Sequence, residues 1–142
     1  MTRRFIPAAL RQRVHQDAGE RCGYCRAPQH LVLAPLEIEH IAPAAAGGTN
    51  RESNLWLSCR LCNSYKGAQV TGRDPVTGID VALYNPRYQR WHDHFAWVNA
   101  GAEVVGLTPT GRATVEALQL NNSHSVMVRQ YWIAAGWHPP VD

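Results

Sequence analysis

The sequence predicts an α+β fold in which an N-terminal helix precedes a small strand–loop–strand–helix core, and a hairpin with further helices follows it. Three observations carry that reading. Two CxxC pairs, Cys22/Cys25 and Cys59/Cys62, bracket a segment where apolar alternation, a Gly-rich loop and a second apolar run succeed one another. The stretch ahead of the first pair carries helix punctuation at both ends, and the stretch behind the second changes character after Gly67. A chain of 142 residues has the size of one domain. The expected organisation is an N-terminal helix over 1–20, a core with the cysteines over 21–72 and an α+β extension over 73–142, packed as a single compact domain overall.

Taken in order, "IPAALRQRVHQDAGERC" reads as a helix, with Pro7 suited to its first turn and Gly19 to its end. Residues 31–41 alternate as a strand. "APAAAGGTNRES" is a loop built on Pro43, Gly47 and Gly48, "NLWLSC" a second short strand, and "RLCNSYKG" a short helix with Asn63 and Lys66 on one face. Residues 71–87, rich in turn formers, read as an extended surface connection. Beyond them "FAWVNAGAEVVGL" predicts a hairpin turning at Asn99 to Gly101. Thr108-Pro109 predicts a cap and first position for one helix, and Ser123 a cap for the last, closed by Gly136. The triplet His92, Asp93, His94 cannot easily converge on one ion and reads as a surface or structural cluster. Trp91, Trp97, Trp132 and Trp137 are expected in the core of the second half.

Charged residues make up 18% of the chain, hydrophobic residues 45%, and the net charge is +3, which excludes a disordered polyelectrolyte. The basic residues fall unevenly. Arg3, Arg4, Arg11 and Arg13 carry the first segment, while Arg51, Arg60, Lys66 and Arg73 surround the motif region, a bias that suits a polyanionic partner. The start lacks the apolar core of a secretory signal, and no apolar run is long enough for a bilayer, so a cytoplasmic protein without membrane contact is expected. In a reducing compartment, two CxxC pairs point to metal rather than to disulfides. Tetrahedral zinc takes four thiolates from two such knuckles, and a closed set of that kind is structural. Thirty-three residues separate Cys25 from Cys59, so the zinc would clip shut an inserted module.

Inside that module stand Glu39, His40, Asn54 and Asn63. Hydrolysis of a phosphodiester needs a base for water and a hard cation for charge on the transition state and the leaving oxygen. His40 is a base suited to neutral pH, and Glu39 and Asn63 offer oxygen donors suited to Mg²⁺ or Mn²⁺. Strict alternation points Glu39 and His40 to opposite faces, so the strand is expected to end or twist at His40.

From Cys22 to Lys66, about a third of the chain, "LEIEHIAP", "GGTNRESNL" and "CNSYKG" between two CxxC pairs resemble the HNH endonuclease family, with its ββα-metal fold and accessory zinc knuckles. The resemblance implies that Glu39 is a metal ligand, His40 the general base, Asn54 the residue bracing the loop, and Asn63 the second metal ligand. It further implies DNA as the partner and a nick that leaves 5′-phosphate and 3′-hydroxyl ends; of the basic residues around the motif, Arg51, Arg60 and Lys66 are the candidates for phosphate contact, Lys66 being equally readable as a solvated helix end. Two departures stand out: Glu39 replaces the commoner Asp, and Asn63 the commoner His. The rival class is a catalytically inactive, zinc-stabilised nucleic-acid-binding module, which would need none of Glu39, His40 and Asn63. A scaffold protein would show neither nicking nor salt-dependent DNA binding.

Overall fold

The computed structural model describes residues 5–141, so Arg3 and Arg4 lie outside the described residues. Contacts divide the chain into two compact units, one running up to Val70 and including Asn85–Tyr88, the other comprising Thr71–Tyr84 and the chain from Gln89 onward.

In the first unit, helix α1 (Ala8–Ala18) starts behind Pro7, whose fixed φ suits the helix entry and whose missing N–H would be unpaired there anyway. It ends at Gly19, which takes the left-handed conformation (φ +64°) and donates its N–H to the Gln16 carbonyl. Strands β1 (Glu37–His40) and β2 (Leu55–Ser58) pair antiparallel, with Ile38 opposite Leu57 and His40 opposite Leu55. Leu55 and Leu57 are fully buried with Val14, Ile6 and Leu36, and Ile38 packs against that cluster. Each such side chain contributes about 1.5–3 kcal/mol by leaving water. This fixes α1 on one face of the hairpin. The other face presents Glu37 and Glu39, two apart and hence on the same side, and helix α2 (Arg60–Lys66) lies there. Strand β1 is shorter than the alternation suggested. Residues Gln29–Leu31 form a 3₁₀ turn, the Gln29 side chain accepts from the Leu36 N–H (2.7 Å) and donates to the Ala34 carbonyl, and Pro35 has no N–H for a ladder.

In the second unit, the expected connection over 71–87 contains a hairpin of β3 (Thr71–Arg73) and β4 (Asp80–Ala82). Its turn is organised by a buried carboxylate rather than by apolar alternation. Asp74 accepts from the Val76 N–H and the Thr77 hydroxyl, and Arg112 grips both its oxygens at 2.9 Å. Helix α3 (Trp91–His94) leads into β5 (Phe95–Val98), which pairs with β6 (Glu103–Gly106) around a turn at Asn99–Gly101, as expected. In α3, His94 meets the Thr108 hydroxyl at 2.7 Å and packs edge-on against Tyr84, a structural role. Helix α4 (Pro109–Ala117) is capped by Thr108, whose hydroxyl oxygen accepts from the Gly111 N–H. Helix α5 (Ser123–Ala134) is capped by Asn122 instead of Ser123, because the Asn122 amide both accepts from the Ser125 N–H and donates to the Gln119 carbonyl. Trp91 is buried, and Trp97 and Trp132 flank the ring of His138. Trp137 departs from expectation: it is 61% exposed, since the bend at Gly136 turns it out while His138 enters the slot.

The α+β class with a strand–loop–strand–helix core, an N-terminal helix and a C-terminal hairpin with helices is therefore the fold observed. No helix among the described residues is long and apolar enough to cross a membrane.

Candidate active site and zinc centre

The sulfur atoms of Cys22, Cys25, Cys59 and Cys62 all lie within 4.8 Å of one another, and Cys25 and Cys59 are 3.7 Å apart. A tetrahedron with Zn–S distances of about 2.3 Å has edges of nearly that length. Two elements bring the sulfurs together. A tight turn after the short bridge between Arg21 and Pro28 presents the first pair, and Cys59 is the N-cap of α2, its sulfur accepting from the Cys62 N–H at 3.4 Å. The Gly23 N–H donates to the Leu57 carbonyl, fastening the first knuckle to β2. Hydrogen bonds from Cys22, Cys25 and Cys62 pull the Cys59 thiol far below its ordinary range. The contact with Cys22 and burial push Cys25 and Cys62 up. A fully ionised set of four sulfurs so close together requires a cation at its centre. The four cysteines are positioned to form a zinc site.

On β1, the strand ends at His40, and the two residues of the Glu39-His40 pair part company. Glu39 turns inward and is 2% exposed. Its Oε1 takes the Tyr24 hydroxyl at 3.0 Å and the Lys66 ammonium at 2.9 Å, while its Oε2 is buried with no hydrogen-bond partner among the described residues. Burial raises the Glu39 carboxyl above its usual range, with Lys66 and Tyr24 pulling the other way. His40, half-buried, lines an open groove together with Glu37, Asn50 and Asn63. Its Nε2 lies 2.6 Å from the Asn50 Oδ1. A carbonyl oxygen only accepts, so Nε2 carries the proton and Nδ1 is the basic nitrogen.

The loop behind His40 is clamped by one side chain. Asn54 accepts from the Ala42 N–H at 2.8 Å and donates to the carbonyls of Ala42 (2.9 Å) and Thr49 (2.8 Å), and its own carbonyl accepts from the Ile41 N–H. Gly48 lets the loop close, since a Cβ there would lie 1.5 Å from the Ala42 carbonyl oxygen. Asn63, on α2, donates Nδ2 to the Glu37 Oε1 at 2.8 Å, which turns its Oδ1 away from Glu37.

The structure thus brings His40, Asn54 and Asn63 around one loop and groove, and places Glu39 beneath it. Lys66 requires a correction. It is 2% exposed, pairs with Glu39 and donates to the carbonyls of Ile41 (2.9 Å) and His40 (3.4 Å), so it is an internal strut and not a phosphate contact. Arg60 is exposed and lines the groove, whereas Arg51 is exposed beside it. Sequence reasoning missed Glu37, Asn50 and Tyr24, which orient Asn63, His40 and Glu39 respectively. Only Glu37 had a signal, its two-residue spacing from Glu39.

The decisive comparison covers the segment from the first knuckle to the end of α2. Residues 22–69 match the HNH endonuclease family. The match spans both CxxC pairs, β1, the loop, β2 and α2, so the zinc set and His40, Asn50, Asn54 and Asn63 fall within the matched segment, while α1, which adds Arg11 and His15 to the groove wall, and the second unit fall outside it. No curated protein and no solved structure gives a significant match to the chain. Apart from the cysteines, no three His, Cys, Asp or Glu side chains among the described residues converge on one point. The groove therefore offers a cation few protein ligands. Its donors are oxygens, with Glu37 and the Asn63 Oδ1 in the lining and the unpartnered Glu39 Oε2 buried beneath it, a set that fits a hard ion keeping several waters.

Proposed function

We propose that the chain is a metal-dependent HNH endonuclease that nicks DNA, and that His40 is its general base. The observation that carries the reading is the state of His40. Inside a segment matching a nuclease family, its Nε2 is held by Asn50, its basic Nδ1 is left over, and it shares a groove with Asn63. His94 and His138 also have an oriented ring nitrogen but serve structure, so what sets His40 apart is that its second nitrogen is left over beside a groove shared with Asn63.

In this reading Nδ1 of His40 takes a proton from the attacking water, and Asn50 stabilises the resulting imidazolium through Nε2. Asn54 and Lys66 hold the peptide that aims the ring, one through its amide and the other through the carbonyls of His40 and Ile41. Glu39 and Asn63 would hold Mg²⁺ or Mn²⁺, which when bound supplies positive charge for the phosphate and the leaving 3′ oxygen. Glu37 holds the Asn63 amide by its nitrogen and so leaves the oxygen to act as the donor to the ion. The products would carry 5′-phosphate and 3′-hydroxyl ends, and one such groove cuts one strand at a time.

Relaxation of supercoiled plasmid tests the proposal. Zinc-loaded protein should convert plasmid to nicked circles when Mg²⁺ or Mn²⁺ is added, and the same preparation should be silent in EDTA. Metal-independent nicking, or none with either ion, would overturn it.

A further inference from the structure

Helix α1 lies outside the HNH segment, yet it forms part of the wall of the groove that holds His40, with Arg11 and His15 lining it. The cations of the first unit sort into two kinds. Lys66 is buried on Glu39, Arg13 pairs with Glu52 at 3.2 Å, Arg87 reaches Asp17 and the Leu55 carbonyl, and Arg21 and Arg26 are engaged as well. Among the described residues of this unit, Arg11, Arg51 and Arg60 are the arginines whose guanidinium has no ion pair or hydrogen bond. Two of those three, Arg11 and Arg60, line the groove, one from α1 and one from α2.

The helix that carries Arg11 is held in place. Arg11 lies one turn before His15 and three residues before the fully buried Val14, which anchors α1 to Leu55 and Leu57. His15 is paired with Glu20 at 2.5 Å, and among the described residues the one carboxylate lining the groove, Glu37, sits on Asn63 with its charge available to a cation rather than paired to either arginine. A groove bounded by two unpaired guanidiniums on separate elements suits a chain of phosphates, because each Arg can take one phosphate in a forked contact.

We propose that α1 is the second wall of a phosphate track, with Arg11 and Arg60 binding successive backbone phosphates of the DNA strand on either side of the bond presented to His40. The proposal rests on the nuclease reading above and adds a substrate contact from a helix outside the family segment. The contact is to backbone, so it is independent of base sequence.

The test is equilibrium binding of duplex DNA across a range of salt, using the full chain with zinc bound and His40→Ala to prevent cutting. Arg11→Gln and Arg60→Gln should each weaken binding equally for unrelated sequences and lower the slope of log affinity against log salt by about 1. Arg13→Gln, on the same helix but paired with Glu52, should leave the slope unchanged. If the parent binds with a steep salt slope and Arg11→Gln matches it, the track is wrong while the nuclease reading stands. If the parent shows no salt-dependent binding, both fall.

Discussion

Asn63 carries an amide that can offer either its oxygen or its nitrogen to a cation, and Glu37 decides which by accepting from Nδ2. The consequence can be measured without DNA. Glu37→Ala should release the amide and weaken Mn²⁺ binding roughly 10- to 100-fold, the usual cost of losing a partner behind a metal ligand. Glu37→Gln keeps an acceptor in place and should stay close to the parent. Calorimetric or EPR titration of Mn²⁺ distinguishes the cases: equal affinity for Glu37→Ala and the parent would remove Glu37 from the account, and equal loss in Gln and Ala would make it a direct ligand. At this scale the sequence was legible where residue type and spacing determine chemistry. His40, Asn54 and Asn63 stand out by their neighbours between two knuckles. Lys66 was misread because a lysine near a helix end looks solvated, and only the turn of Glu39 beneath the strand draws it inside. Asn50 gave no signal, since its partner lies ten residues back across a loop of no regular structure.

The element on which the groove depends is the zinc clip. Cys59 directly follows β2 and caps α2, so a metal on the four sulfurs would fix the angle between the strand paired with β1 and the helix carrying Asn63. The apolar cluster around Leu55 and Leu57 in the first unit is modest, and a structural zinc in a small module of this kind supplies folding energy directly. About one zinc per chain should be found by elemental analysis. Cys62→Ser should lower that content toward zero and abolish nicking together with the near-UV signal of the first unit. A Cys62→Ser protein that folds and nicks as before would show the clip to be dispensable. The ββα arrangement was readable from the CxxC pairs and the Gly-rich loop. The β3–β4 hairpin was not, because what holds its turn is Asp74 with Arg112, a contact spanning 38 positions that no local pattern records.

Across the whole molecule, the two units have different sources of stability and so different responses to acid. In the second unit, burial holds His138 below the ordinary imidazole range, with its Nε2 donated to the Gly101 carbonyl and its ring between Trp97 and Trp132. The unfolded chain then binds more protons than the folded one below the free imidazole pKa of about 6.5. The stabilising contribution is complete above that pH and is lost as pH falls through it. Thermal unfolding followed by tryptophan fluorescence should show a pH slope between 7.5 and 5.5, and His138→Gln should flatten that slope. Equal slopes would contradict the burial argument. The central claim concerns the first unit, and a Mn²⁺ titration of plasmid nicking by His40→Ala and Asn63→Ala, side by side with the parent, tests it most directly. His40→Ala should lower the rate roughly 10²- to 10⁴-fold at every Mn²⁺ concentration, the usual share of a general base, without moving the midpoint. Asn63→Ala should move the midpoint upward, with excess Mn²⁺ partly restoring the rate. A His40→Ala protein that nicks at the parental rate, with contaminating nuclease excluded, would contradict the account.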